Sequence, residues 1–454
     1  MDKRIHLIAI GGAAMHNLAL ALNNKGYTVS GSDDEIFEPS LSRLKNAGIL
    51  PEQMGWFPEK LNTDIDVVIL GMHARKDNPE LLKAQELGLT IMSYPEYLYE
   101  QTKDKLRVVV AGSHGKTTIT AMILHVLKIL GKKFDYMVGS QIERFDTMVS
   151  LSDDTDIAVF EGDEYLSSPI DLRPKFIHYH PNIGVISGIA WDHINVFPTF
   201  EVYKDQFRTF IEKIIADGTL IYSNEDDHLK EITQKKRETI TYISYKAIEN
   251  KIFDGTTTVY DSKGTKYDLH VFGNHNMQNI SAALQVCLKL SIPEDDFFTA
   301  ISSFTGTKRR LELLNQKEGT YIYHDFAHSP SKVKATVNAV KEQFTDTPLI
   351  ACFELHTFSS LNKHFLNQYK GCLEKADKAI IFYDPHVIEH KKLDTITVDD
   401  IKNSFDKNDL EVFTSKEILQ ESLLTKKTPA VFLFMSSGNF GGIQMKEFSY
   451  ELIN

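Results

Sequence analysis

The run Val108-Val109-Val110-Ala111-Gly112-Ser113-His114-Gly115-Lys116-Thr117-Thr118 joins a β-branched apolar stretch to a small-residue loop. A helical pattern of Met122, Leu124, Val126, Leu127 and Leu130 follows it. Those residue types suit a loop that binds phosphate. Glycine lets backbone approach an anion closely, and N–H groups at a helix start point at it. Lys116 can reach terminal phosphates, and Thr117 can offer its hydroxyl to a magnesium ion. Gly112, Ser113, His114, Gly115 and Thr118 would complete the cradle. The full motif places a glycine four residues ahead of the Gly-Lys pair; here that position is Val110, and Gly112 lies three residues before Gly115. The competing reading is a plain strand–turn–helix with a solvated lysine.

Other polar clusters follow apolar strands. Glu161 in Phe160-Glu161-Gly162-Asp163-Glu164-Tyr165 suits a hard divalent cation or, equally, an acidic turn. His193 in Ala190-Trp191-Asp192-His193 is a ligand or a structural histidine, and Thr117, Glu161 and His193 are expected to converge. Asn276 and Asn279 lie in Gly273-Asn274-His275-Asn276-Met277-Gln278-Asn279, where capping explains one asparagine and the other amides suit an adenine edge or phosphate. The pair Arg309-Arg310 is either a phosphate clamp or a solvated turn. In His324-Asp325-Phe326-Ala327-His328-Ser329-Pro330, Asp325 suits a ribose and His328 a substrate carboxylate. An Asx-turn ahead of a helix with Pro330 in its first turn is the alternative.

The elements that must position these residues alternate between strand and helix. Strands are predicted at Ile5–Ile10, Tyr27–Ser30 and Asp66–Leu70, with Gly11-Gly12 after the first and Gly31-Ser32-Asp33 after the second. The glycine pair suits a nucleotide diphosphate and Asp33 a ribose hydroxyl or base, while the spacing fails the G-x-G-x-x-G fingerprint of a nicotinamide cofactor. Central strands are predicted at Ile157–Phe160 and Gly184–Ile186, with helices after Phe200 and after Asn276. A third α/β unit carries strands near Tyr321–Tyr323, Leu349–Phe353, Ala379–Phe382 and Ala430–Phe434. Alternation of this kind predicts parallel sheets. We divide the chain into residues 1–105, 106–307 and 308–454. A length of 454 residues allows several domains, and a net charge of −12 argues against a broad nucleic-acid surface. The three cysteines have no metal-ligand spacing and read as buried thiols of a reducing compartment. No apolar run approaches the roughly 18 residues of a membrane span, and the N-terminus lacks a signal-peptide pattern, so a cytoplasmic enzyme is expected.

Taken in order, these motifs resemble the Mur ligase family, ATP-dependent amide-forming enzymes of peptidoglycan metabolism, over essentially the whole chain. The resemblance implies an α/β architecture of three domains: a Rossmann-like UDP-binding domain, a central P-loop ATPase-like domain and a C-terminal Rossmann-like domain that closes on ATP and the incoming peptide. Gly11, Gly12, Ser32 and Asp33 would hold a UDP-sugar. Lys116, His193 and Arg310 would be catalytic. Thr117, Glu161 and His193 would hold Mg2+, and the loop residues with Asn276, Asn279, Arg310 and Asp325 would hold ATP. Three segments look like the branch that ligates a murein tripeptide to UDP-N-acetylmuramate in cell-wall recycling: Glu164-Tyr165, Lys175–Pro181 and Met435–Ile443. The Asp325–His328 run also looks more like that branch. The alternative within the family is UDP-N-acetylmuramate–L-alanine ligation.

Two positions depart from the family pattern. Gly188 stands where asparagine is usual. Phe353–Phe358 lacks the arginine of the alanine-adding branch, which leaves His356, or less directly Lys363, to meet the acceptor beside His328. Phe207 falls where related ligases carry a carbamylated lysine, so none is expected. The resemblance implies ordered acyl transfer through an acyl phosphate, by a monomer or dimer. Outside this branch, folylpolyglutamate synthase lacks a comparable first domain, and a nucleotide-dependent binding protein without turnover remains a non-enzyme alternative.

Overall fold

The computed structural model describes residues 3–142, 145–191, 196–253 and 256–453. The described chain forms two compact units. One comprises residues 1–246 with 278–301, and the other residues 247–277 with 302–454.

The first unit holds two sheets. Strands β1 (Arg4–Ile8), β2 (Thr28–Ser32), β3 (Val67–Leu70) and β4 (Ile91–Ser93) are all parallel, in the order β2-β1-β3-β4. The second sheet is built from β5 (Leu106–Ala111), β6 (Asp135–Met137), β7 (Val149–Ser150) and β8 (Ile157–Glu161). A short antiparallel pair, β9 (Leu166–Ser168) and β10 (Asp171–Pro174), stands beside it. Strands β11 (Ile183–Ile186), β12 (Thr219–Ser223) and β13 (Thr241–Tyr245) complete the sheet in the order β13-β12-β11-β5-β8-β6-β7. Only the β6–β7 edge is antiparallel. The continuous apolar run Val108–Ala111 is what a central parallel strand requires, since both its faces are covered. Those residues are fully buried.

Helices cover these sheets. The helix Phe200–Lys213 turns Tyr203, Phe207 and Phe210 inward. Phe207 packs edge-on to Phe176 at 5.7 Å, and Phe210 stacks on Phe176 at 5.0 Å. Position 207 is thus a core position.

One buried cation ties the linker between the sheets to the second of them. Arg107, 4% exposed, gives Nη1 to the carbonyls of Thr102 (2.8 Å), Lys103 (2.6 Å) and Lys105 (2.9 Å). Its Nε reaches Tyr179 O at 2.9 Å and His180 O at 3.2 Å, and Nη2 reaches His180 O at 3.0 Å. A guanidinium presents five donors in a fixed fork, which a lysine cannot reproduce. Further ties run from the first sheet's helix. Asn17 Oδ1 accepts Met148 N at 2.9 Å, and Lys25 pairs with Asp153 at 2.6 Å.

The second unit contains a feature that the alternation of strand and helix did not predict. Strands β14 (Asn250–Phe253), β15 (Thr256–Tyr260) and β16 (Lys266–Leu269) form an antiparallel sheet. Its strands are short, β15 carries three threonines, and β15 and β16 are joined through the turn at Gly264, where φ is +83°. The larger sheet has β17 (Glu312–Lys317), β18 (Thr320–Asp325), β19 (Leu349–Glu354), β20 (Lys378–Phe382), β21 (Glu411–Phe413) and β22 (Val431–Met435). Their order is β17-β18-β22-β19-β20-β21, parallel except for the β17–β18 edge. No helix of the described residues is long and apolar enough to cross a membrane.

Arg107→Lys should lower stability by about 3 kcal/mol, because several buried carbonyls lose charge-assisted donors. A thermal melt of the variant within a degree of the parent would show that the cluster contributes little.

Candidate functional site

The first cluster forms where β5 ends. The loop Gly112–Gly115 leads directly into the helix Lys116–Ile129. Gly115 has φ +78°, and a Cβ there would collide with Asn279 Oδ1; Gly112 has φ +124°, and a Cβ would strike Ser187. The two glycines therefore combine the left-handed backbone with close approach. Lys116 Nζ donates to Gly112 O at 2.7 Å and to Glu164 Oε2 at 2.8 Å. Burial alone would lower the Lys116 pKa, but the charges of Glu164, Asp163 and Glu161 outweigh it and hold the ammonium above its ordinary value. Tyr203 OH donates to Glu164 Oε1 at 3.1 Å and shares a 2.8 Å hydrogen bond with Ser113 Oγ. Ser113 Oγ also accepts Ala190 N at 2.8 Å. The Ser187 hydroxyl donates to His114 O, so the loop is pinned by the segment that follows β11. Gly188 contributes its carbonyl, which accepts Ser113 N at 2.9 Å.

Thr117 and Glu161 meet as expected, with Thr117 Oγ1 donating to Glu161 Oε1 at 2.8 Å. Glu161 ends β8 beside β5 in the register Val110↔Glu161, which puts its carboxylate level with the loop. Its other oxygen accepts Gly139 N at 2.7 Å. A hydroxyl and a carboxylate side by side are hard oxygen donors, the set that suits magnesium. His193 and Asp192 lie outside the described residues. Asn276 and Asn279 share one face of the helix Asn274–Lys289. The Asn276 amide donates to Phe272 O at 2.9 Å.

The second cluster lies at the ends of β1 and β2. Gly11 N donates to Asp33 Oδ2 at 2.7 Å, and Ser32 O accepts Ala9 N and Ile10 N at 2.9 and 3.1 Å. Gly12 O is met by His16 Nδ1 at 3.0 Å. The four residues Gly11, Gly12, Ser32 and Asp33 are therefore brought together. Burial pushes the Asp33 carboxyl up from 3.8 to about 6, against the Gly11 hydrogen bond and with help from neighbouring Asp34.

In the second unit, Arg310, Asp325, His328 and His356 lie around the ends of β18 and β19. Arg309 and Arg310 both stack on Phe326, at 5.1 and 4.7 Å. Asp325 Oδ1 accepts Leu311 N at 3.2 Å and Phe326 N at 2.8 Å, and Oδ2 accepts Thr336 Oγ1 at 2.5 Å. Asp325 therefore braces the loop that carries the arginines. His328 Nδ1 faces Phe326 O at 2.8 Å, and Pro330 opens the next helix in its first turn. Lys363 is paired with Asp400 at 2.9 Å.

Sequence reading singled out no role for Glu164 with Lys116, or for Tyr203, Ser187 and Gly139. Tyr203 sits on a helix 90 residues beyond Ser113, and nothing local marks it.

The folded state keeps the Asp33 proton to about pH 6, while an unfolded aspartate releases it near pH 4. Between those values the folded state binds the extra proton, so this group's contribution to stability falls as pH rises and is constant above about 6. Asp33→Asn removes that dependence. The melting midpoint of the variant relative to the parent should therefore rise between pH 4.5 and pH 7; a difference that stays fixed would remove Asp33 from the titration.

Known proteins share this organisation. Residues 4–105 match the Mur ligase family catalytic domain, residues 110–287 the Mur ligase middle domain, and residues 309–438 the Mur ligase glutamate ligase domain. The UDP-N-acetylmuramate–L-alanine ligase of Caldicellulosiruptor bescii is 32% identical over 391 residues, covering 84% of this chain and 83% of that protein. The solved UDP-N-acetylmuramate:L-alanyl-gamma-D-glutamyl-meso-diaminopimelate ligase of Neisseria meningitides is 26% identical with TM-score 0.62, covering 68% of this chain and 100% of that one. The murein peptide ligase of Psychrobacter arcticus 273-4 shares the fold at 23% identity and TM-score 0.64, over 100% and 99% of the two chains. Together with the loop, carboxylate and strand-end geometry, these matches place the chain in the Mur ligase family of ATP-dependent ligases that form amide bonds.

Proposed function

We propose that this ligase joins UDP-N-acetylmuramate to the tripeptide L-Ala-γ-D-Glu-meso-diaminopimelate, returning recovered peptide to cell-wall synthesis. The observation that carries this reading is that two segments resembling the recycling branch form one packed module beside Lys116. Phe176 N donates to Asp163 O at 3.1 Å, Lys175 N to Tyr165 O at 2.9 Å, and Lys175 Nζ to Asp163 Oδ2 at 2.6 Å. The same module carries Glu164, the partner of the phosphate-loop lysine. A second reading, transfer to L-alanine, is favoured by the 32% identical relative from Caldicellulosiruptor bescii.

The residues support acyl transfer as follows. Gly11, Gly12, Ser32 and Asp33 hold the UDP end, and that remote binding energy places the lactyl carboxylate. The loop Gly112–Thr118 cradles ATP, with Asn276 and Asn279 positioning the nucleotide and Asp325 its ribose. The carboxylate attacks the γ-phosphate in line, giving an acyl phosphate and ADP. Phosphoryl transfer of this kind needs positioning and charge neutralisation more than covalent help. Lys116 exchanges Glu164 for the terminal phosphate, and Arg310 adds positive charge. Thr117 and Glu161 would hold magnesium, with His193 at a second ion; the metal supplies charge neutralisation at the phosphates. The acceptor peptide is held by His328 and His356, and its free amine attacks the acyl carbon and expels phosphate.

Phosphate release from ATP with magnesium and UDP-N-acetylmuramate should depend on the tripeptide and not on L-alanine. Turnover with L-alanine alone would assign the chain to the second reading. Lys116→Ala should reduce ligation by about 1000-fold or more while UDP-sugar affinity changes less than about 3-fold. Near-parental ligation by that variant would remove the phosphate loop from catalysis.

A further inference from the structure

Two stretches singled out in the sequence meet at one place in the second unit, and the steps above use neither fully. They are Phe353–Phe358, at the end of β19, and Met435–Ile443, at the end of β22. The strands are adjacent and parallel, with Phe353 in register with Met435, so the loops leave the sheet side by side. Glu354 is 2% exposed. Its Oε2 accepts Phe440 N at 2.9 Å and the Ser436 hydroxyl, and Ser436 Oγ accepts Gly438 N at 2.6 Å. No hydrogen bond reaches Oε1 among the described residues. Within ion-pair distance of that oxygen lies His356 Nδ1 at 3.7 Å, on a side chain that is 34% exposed, while the Arg309 guanidinium acts on Glu354 by charge without a hydrogen bond to it. A Cβ at Gly438 would lie 2.6 Å from the His356 ring and 2.7 Å from Glu354, so the loop lies tight against the pair. The Ser437 hydroxyl is buried with no hydrogen-bond partner among the described residues. Arg309 spends Nη2 on Ser436 O and Gly438 O, not on the carboxylate.

A carboxylate this deep is costly unless its remaining oxygen also gains a donor. A second carboxylate would be repelled there. An ammonium fits, and its charged form would be favoured. That excludes the attacking amine, which must be neutral to act as nucleophile. We propose that Glu354, with His356 at the mouth and Ser437 beside it, receives the free side-chain amine of the acceptor peptide's third residue and so selects for a diamino acid there. The proposal rests on the tripeptide reading above and adds its specificity determinant.

The test compares full-length enzyme on matched acceptors: the diaminopimelate tripeptide against the 2-aminopimelate analogue, and the L-lysine tripeptide against norleucine. Each analogue lacks only the amine. The parent enzyme should favour the amine-bearing partner of at least one pair by about 30-fold or more in kcat/KM. Glu354→Gln keeps an acceptor for Ser436 and Phe440 and should reduce that ratio to about 3-fold or less, with KM for ATP and for UDP-N-acetylmuramate unchanged. A purely structural Glu354 would lower all rates together and leave the ratio intact, which overturns the proposal. If Glu354→Gln melts early, the ratio is read on His356→Gln, where a fall supports the proposal and an unchanged ratio overturns it. A parent enzyme that ligates tripeptides without distinguishing the pairs overturns the proposal while the tripeptide reading stands. An enzyme that takes L-alanine and no tripeptide overturns that reading and the proposal with it.

Discussion

The proposed chemistry of this chain depends on keeping one ammonium charged inside protein. Lys116 sits at the end of a central parallel strand, where water is scarce and an isolated charge would be lost. Glu164 pairs with it directly, and Asp163 and Glu161 add their fields. Those carboxylates arrive because β8 runs beside β5 and the chain turns back across its end. The arrangement leaves the lysine oriented by carboxylates, whose place the proposed mechanism gives to a phosphate. Tyr203 and Ser113 then fix the carboxylate, so the charge is held by a network and not by a single pair.

The second unit also gathers carboxylates at strand ends. Asp325, Glu354 and Ser436 lie at the carboxyl ends of three neighbouring strands, the side of a parallel sheet where ligands bind. Asp325 uses one oxygen to brace the arginine loop and the other to hold Thr336 on the following helix. Glu354 uses one to hold the loop after β22 and presents the other. Position in the sheet is common to the two residues; the number of donors already satisfied sets them apart.

Much of this was legible in the sequence because it is local. An apolar β-branched run followed by small residues and a helical period marks strand, loop and helix without knowledge of neighbours, and the strands near Ile157, Gly184, Tyr321, Leu349, Ala379 and Ala430 form accordingly. The meeting of Thr117 with Glu161, and of Gly11 with Asp33, followed from strand ends sharing an edge. What escaped was non-local or irregular. Tyr203 and Glu164 reach the loop from distant segments, through register and helix rotation that no short motif encodes. The antiparallel sheet of Asn250–Leu269 escaped because its short strands lack the apolar runs that announced the others.

Arg107 has a consequence for how this chain can diverge. Its hydrogen bonds go to carbonyl oxygens of Thr102, Lys103, Lys105, Tyr179 and His180, and a carbonyl is the same whichever side chain follows it. The linker that joins the two sheets can therefore drift in sequence without loosening the joint, provided its backbone path is kept. Mutational tolerance at residues 102–105 is thus underwritten by intolerance at a single position outside them.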